Sequence, residues 1–260
     1  MKALYIAATG MKAQELNVEV ISNNVANMRT TGYKRQRADF QDLLYENQRR
    51  MGTETSDTGT LVPNGIQIGS GVRTVATARI MTQGTASRTG KELDVAVRGE
   101  GFFQITTPDG TTAYTRDGSF ARAQDGRLVT NDGYAVMPGI TIPENSRDIT
   151  INKLGVVQVV NAAGQVQNLG QLQLASFINK EGLEAIGDNL FLETAASGQP
   201  QVNTPGAEGY GTLLQGHLEA SNVDAVTELS DLIAAQRAYE MNSKIVKAAD
   251  EMYATSNNMR

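Results

Sequence analysis

The sequence predicts an α+β chain. Discontinuous, paired terminal α-helices form a coiled-coil-like assembly domain, and a central antiparallel β domain lies between them. Three observations carry this. Leu4, Met11, Val18 and Val25 recur every seven residues near one end, and Leu232, Tyr239, Val246 and Tyr253 repeat that spacing near the other. From about residue 72 to 195 the period falls to two, as at Val95 and Val97 or Leu172 and Leu174. Asp-Gly pairs beginning at residues 109, 117, 125 and 132 punctuate that stretch, each able to supply the positive φ of a tight hairpin turn.

The first helix is expected over residues 3–27, about 38 Å long. Gly10 lies inside it, either as a surface glycine or at a close approach of another helix. Asn23, Asn24 and Asn27 place short amides near the helix end, where they compete for backbone hydrogen bonds, and Gly32 completes the stop. Tyr33 to Tyr45 reads as a short helix or an extended arm. Residues 51–71 are rich in Gly, Thr, Ser and Asn and contain Pro63 before Asn64-Gly65, which predicts a long loop or an extended hairpin. Its middle is too polar to form core, so a neighbouring subunit would have to order it.

In the β region, Val156, Gln158 and Val160 are expected to share one face. Residues 196–211, with Pro200, Pro205, Gly206, Gly209 and Gly211, form a return linker. The second helix is predicted to start near Ser221, with Asp224 completing a capping box, and to run to about residue 253. Asn222, Asn242 and Ser243 fall near its packing seam, where polar groups fix register or face solvent. The domain layout is therefore residues 1–35 plus 217–260 for the helical assembly domain and 76–195 for the outer β domain. Residues 36–75 plus 196–216 are the connecting arm, loop and return linker.

Composition excludes several functions. A formal net charge of −5 and an isoelectric point near 5.1 give no global attraction to nucleic acid, and the local cluster Lys34, Arg35 and Arg37 reads as a solvated face. The sequence has no cysteine, hence no disulfide and no thiolate ligand or nucleophile. No apolar run spans a membrane. The opening Met-Lys-Ala-Leu-Tyr-Ile-Ala-Ala is broken by Thr9, Lys12 and Glu15, which predicts a retained helix instead of a cleaved signal peptide. The single histidine, His217, has no second imidazole or thiol to work with. Gly99-Glu100-Gly101 lacks the third glycine of a dinucleotide fingerprint. No catalytic residue, cofactor or metal is expected.

Polymer formation is what the remaining features ask for. A helix near 50 Å long cannot cover its apolar surface against one shorter helix, and the excess is left for further copies of the chain. Alanines at 7, 8, 13, 234, 235, 238, 248 and 249 permit close helix approach.

Four groups of residues then carry a resemblance. They are Leu4–Met11 with Asn23-Asn24-Val25-Ala26-Asn27 and Thr31-Gly32-Tyr33-Lys34; the block from Asp94 through Gly99, Gly101, Phe102 and Phe103; Tyr114–Phe120 with Gly126–Thr130; and Glu219–Asp224 with Gln236–Lys244. In this order they resemble the shared motifs of the bacterial flagellar axial proteins of the rod and hook. Residues 51–68, marked by Met51, Pro63, Gly65 and Ile68, resemble the stretch inserted in distal-rod members, with a proximal-rod or hook-type member as the alternative. The resemblance implies an inner tube of terminal helices, an outer β layer, and a loop that stiffens a rigid hollow shaft crossing the periplasm toward the outer membrane. It implies self-assembly and, as partners, proximal rod proteins, the hook protein, the peptidoglycan and outer-membrane ring proteins, the rod cap and the type III export apparatus.

Overall fold

A computed structural model of the chain describes residues 2–49, 51, 64–162 and 164–258, the last three without side chains. It contains two compact units. One comprises Met1–Val25, Gln36–Ala78 and Ala225–Arg260, the other Ala26–Arg35 and Arg79–Asp224. Residues 26–35 and 217–224 thus cluster with the β strands, and residues 36–75 with the helices.

The helical unit is built on α1 (Lys2–Ala26) and α2 (Ala225–Asn258). They run antiparallel, since Asn24 meets Glu228 and Gly10 lies beside Asn242. Gly10 therefore marks a close helix approach: a Cβ there would stand 3.0 Å from Asn242 Nδ2. The buried row of α2 is Glu228, Ala235 and Ala249, with half-buried Asn242 completing its seven-residue spacing. The predicted apolar row lies four residues further on. Leu232 and Val246 are half-buried, while Tyr239 and Tyr253 remain 44% and 48% exposed. On α1 the same holds: Leu4, Met11, Val18 and Val25 are half-buried, and Ala7, Ala13, Val20, Ile21 and Asn24 are inside. Small and polar residues line the seam because they let two backbones approach.

Two expectations for α2 are corrected. It begins at Ala225, so Ser221 is no cap; its hydroxyl accepts Val223 N–H at 3.3 Å in the preceding turn. Asn222 likewise lies before the helix, not on its seam. The segment read as a short helix or arm is extended: Gln36–Asp42 pairs with Val72–Arg79. Tyr45–Arg49 pairs antiparallel with Ile66–Gly69, the base of a hairpin.

The β unit centres on Phe102–Thr106 in a nine-stranded sheet. One edge of this strand pairs with Thr112–Thr115; the other pairs first with Leu174–Ser176 and then with Ala135–Val136. Successive strand residues point to opposite faces, which explains the adjacent phenylalanines. Phe103 enters the main core edge-on to Phe120, ring centroids 5.0 Å apart. Phe102 enters a second cluster, edge-on to Phe177 and Phe191 at 6.0 Å each. Both rings are at most 2% exposed. Phe103→Ala should cost about 3–5 kcal/mol, readable as a lowered urea midpoint for the β unit.

Ser146–Ile151, Val156–Asn161 and Val166–Gln171 form a separate antiparallel sheet. In its middle strand Val156, Gln158 and Val160 share one, half-buried face as expected, and Val157 and Val159 form the buried face. A valine at four of its first five positions leaves alternation undefined, so the register is decided by the core. Three of the four Asp-Gly pairs make the expected turns, with Gly110, Gly126 and Gly133 at φ +78, +83 and +86°. Each glycine N–H returns to the carbonyl three residues back, a type I turn closed by a left-handed glycine. Gly118 differs. A Cβ there would fall 1.7 Å from Val95 O, so this glycine serves strand contact.

Tyr114 is buried against Phe177, and its hydroxyl donates to Glu193 Oε2 at 3.4 Å. Burial first, then the neighbouring carboxylate charge, pushes the phenol up to about 12. The folded state therefore keeps its proton where the unfolded chain loses it. The contribution to stability is intact below the unfolded value near 10 and lost as pH rises through about 12. Ultraviolet difference titration should show Tyr114 ionising well after exposed tyrosines, and the late phase should vanish in Tyr114→Phe.

Candidate assembly surface and motif junction

In the β unit the quoted motifs meet around one buried carboxylate. Glu219, Lys34 and Arg116 are 1%, 2% and 3% exposed. Lys34 Nζ donates to Glu219 Oε1 at 2.6 Å and to the Thr82 carbonyl at 2.9 Å. Gly84 N–H donates to the same Oε1 at 2.9 Å. Arg116 Nε stands 3.5 Å from Glu219 Oε2, and its two terminal nitrogens donate to Gly101 O at 2.9 Å and Gly99 O at 2.8 Å. Its guanidinium carbon lies 5.6 Å from the Phe102 ring centroid, a cation–π contact. Lys34 thus corrects the solvated-face reading.

Two cations share one anion here. Burial holds the Lys34 ammonium below its ordinary value despite the opposing pull of Glu219, and burial likewise lowers Arg116. The peptide backbone is locked in as well. Gly32 N–H donates to the Glu219 carbonyl at 2.8 Å, with Gly32 at φ +70°. A Cβ on Gly32 would stand 2.9 Å from Asp117 N, so sterics and backbone conformation both require glycine. Asn222 Nδ2 donates to Ile80 O at 2.8 Å, and its Oδ1 accepts Arg35 N–H at 2.7 Å. Asp94 is buried, and its carbonyl accepts Gly216 N–H at 2.7 Å. Asn27 closes the turn that follows α1, accepting Thr30 N–H at its carbonyl and the Thr30 hydroxyl at its side chain, each at 3.1 Å.

Asn24 performs the corresponding task in the helical unit. Its amide donates to Gln36 O at 2.8 Å and accepts Gln36 N–H at 2.9 Å, copying a strand pairing. It also donates to Glu228 Oε2 at 3.1 Å, joining α1 to α2. Asn24→Ala leaves buried partners unmatched and should cost about 1–3 kcal/mol, measured as faster amide exchange at the α1 end.

The helical unit also presents a large apolar surface. Val226, Leu229 and Ile233, at helical spacing on one flank of α2, are 74%, 50% and 51% exposed. Met241, Ile245 and Met252 on the other flank are 59%, 49% and 66% exposed. Leu44, Tyr45 and Ile66, in and beside the strand pair, are also exposed, at 87%, 55% and 50%. Met51 is 60% exposed; Gly65 packs so that a Cβ would meet Arg49 O at 2.5 Å; half-buried Ile68 pairs with Glu46. Pro63 and most of residues 51–68 lie outside the described residues. His217 Nδ1 lies 2.9 Å from Gln215 O. Among the described residues no group of three or more His, Asp or Glu could hold a metal, and no helix is long and apolar enough to cross a membrane.

Comparison with known proteins accounts for the placement of these motifs. Residues 4–34 match the family described as flagella basal body rod protein, 96–159 the flagellar hook protein FlgE/F/G D1 domain, and 214–259 the flagellar basal body rod FlgEFG protein C-terminal region. The flagellar basal-body rod protein FlgG of Caulobacter vibrioides is 56% identical over 100% of both chains. That of Agrobacterium fabrum is 54% identical over 97% of both, and that of Bacillus subtilis 39% identical over 97% of this chain and 96% of its own. Similarity of this extent, with each matched segment supplying residues to the junctions described, shows that the chain belongs to the family of flagellar basal-body rod proteins and is a structural component of the bacterial flagellum.

Proposed function

We propose that this chain is the distal-rod subunit, polymerising with itself into a rigid hollow helical shaft that crosses the periplasm through the ring bushing and passes torque to the hook. The observation that carries the reading is the apolar surface on both flanks of α2. Such a surface on a single copy is a liability that further copies remove. The helical unit then forms the inner tube and the β unit the outer layer. Proximal rod proteins, the hook protein, the peptidoglycan and outer-membrane ring proteins, the rod cap and the export apparatus are the partners that fit it.

Residues 51–68 are assigned to stiffening, because they resemble the distal-rod insertion. Deleting 51–68 should leave polymers that form but lose straightness in electron micrographs. Polymers as straight as those of the intact chain would contradict the assignment.

A further inference from the structure

The two flanks of α2 differ in charge. On one, α1 and α2 enclose a groove of about 410 Å³ with Val18 and Tyr239 among its walls and Glu15, Glu19 and Glu240 around it. None of these carboxylates has an ion pair among the described residues. Glu15 and Glu19 stand four apart on one helix, a like-charge pair that weakens it unless a cation arrives. Exposed Met241 and Ile245 form a ridge on the other flank, and Arg237 and Lys244, which are seven apart and also lack an ion pair among the described residues, stand between this ridge and Glu240.

Arg237 and Lys244 stand three before and four after Glu240 on the outer face of α2, so Glu240 has cationic neighbours within its own helix. The α1 carboxylates Glu15 and Glu19 have no such neighbours on α2, and their charge is complementary to that of the ridge. We infer that the acidic groove of one copy receives the basic, apolar ridge of a second copy. This rests on the self-assembly reading above and names the contact through which it works. The contact joins two different patches, so it is heterologous and repeats without closing on itself, as a helical polymer requires. Arg237 and Lys244 neutralise the groove carboxylates as Met241 and Ile245 cover the apolar wall, and like-charge repulsion disfavours groove against groove.

Charge exchange in the full-length chain tests it. Glu15→Lys with Glu19→Lys reverses the groove; Arg237→Glu with Lys244→Glu reverses the ridge. Both sets are on the surface, and circular dichroism checks that helicity is kept. Each reversed chain alone should raise the critical concentration for pelletable polymer at least tenfold. An equimolar mixture should restore assembly, because each reversed groove then meets a matching reversed ridge. Normal assembly of either reversed chain, or a mixture that stays unassembled, overturns the contact while leaving the rod reading in place. Failure of the intact chain to polymerise would overturn both. Should a reversed chain lose helicity, the intact chain's own salt response decides: a critical concentration that rises with salt supports the contact, and one that does not change contradicts it.

Discussion

Glu219→Ala is expected to lower the stability of the β unit by about 3–5 kcal/mol, because it leaves buried cations without their anion. Lys34 and Arg116 would stay at 2% and 3% exposure, with Lys34 retaining only the Thr82 carbonyl. Gly84 N–H would lose its acceptor as well. The exposed pair Arg37–Asp39 is the control, worth about 0–1 kcal/mol. A fully apolar replacement, Lys34→Met with Arg116→Met and Glu219→Leu, should recover part of the loss. It should not recover all, since the Gly99 and Gly101 carbonyls lose the Arg116 donors. Urea unfolding followed by tyrosine signals of the β unit reads all four chains. A Glu219→Ala cost below about 1 kcal/mol would place the triad with ordinary surface pairs.

Leu229→Lys with Ile233→Lys should abolish polymerisation while leaving the isolated chain folded. Both side chains are about half exposed, so lysine in their place costs little fold stability. Full burial of such side chains is worth roughly 1.5–3 kcal/mol each, so their exposed halves together offer about 2 kcal/mol per contact. Burying two unpaired ammonium groups adds a further penalty. At about 1.4 kcal/mol per tenfold, the critical concentration should rise more than about thirtyfold. Pelleting assays measure this. Unchanged pelleting would remove the Val226–Ile233 flank from the assembly surface.

The hydrophobic period made the two helices and the β middle legible, because periodicity reports which side of an element is apolar. It gave the seam only in part: it placed Asn242, Ala235 and Ala249 at or near the seam, but put the row of large apolar residues at its centre and missed Glu228. The row that turns inward on α2 contains Glu228, two alanines and Asn242, which carry almost no apolar signal, and the visible row of Leu232 and Tyr239 lies along its edge. The Glu219 triad was hidden for a related reason. Charged residues read as surface, and Lys34 and Glu219 are 185 positions apart, so only the fold brings them into contact. Gly32 and Asn24 were recognised as motif residues, yet their tasks depend on distant partners, Glu219 O and Glu228. Turn chemistry was the most local signal. It failed only at Gly118, where contact with Val95 overrides the Asp-Gly preference.

If the chain polymerises as proposed, the apolar flanks of α2 become buried between its copies. Methionine oxidation tests it directly, since Met241 and Met252 are 59% and 66% exposed on α2 and Met137, 38% exposed in the β unit, is an internal reference. Brief peroxide treatment of monomer and of polymer, followed by mass spectrometry, gives the rate at each site. Polymerisation should slow oxidation of Met241 and Met252 at least about tenfold, relative to Met137. Polymers in which Met241 and Met252 oxidise as fast as in the monomer would contradict it.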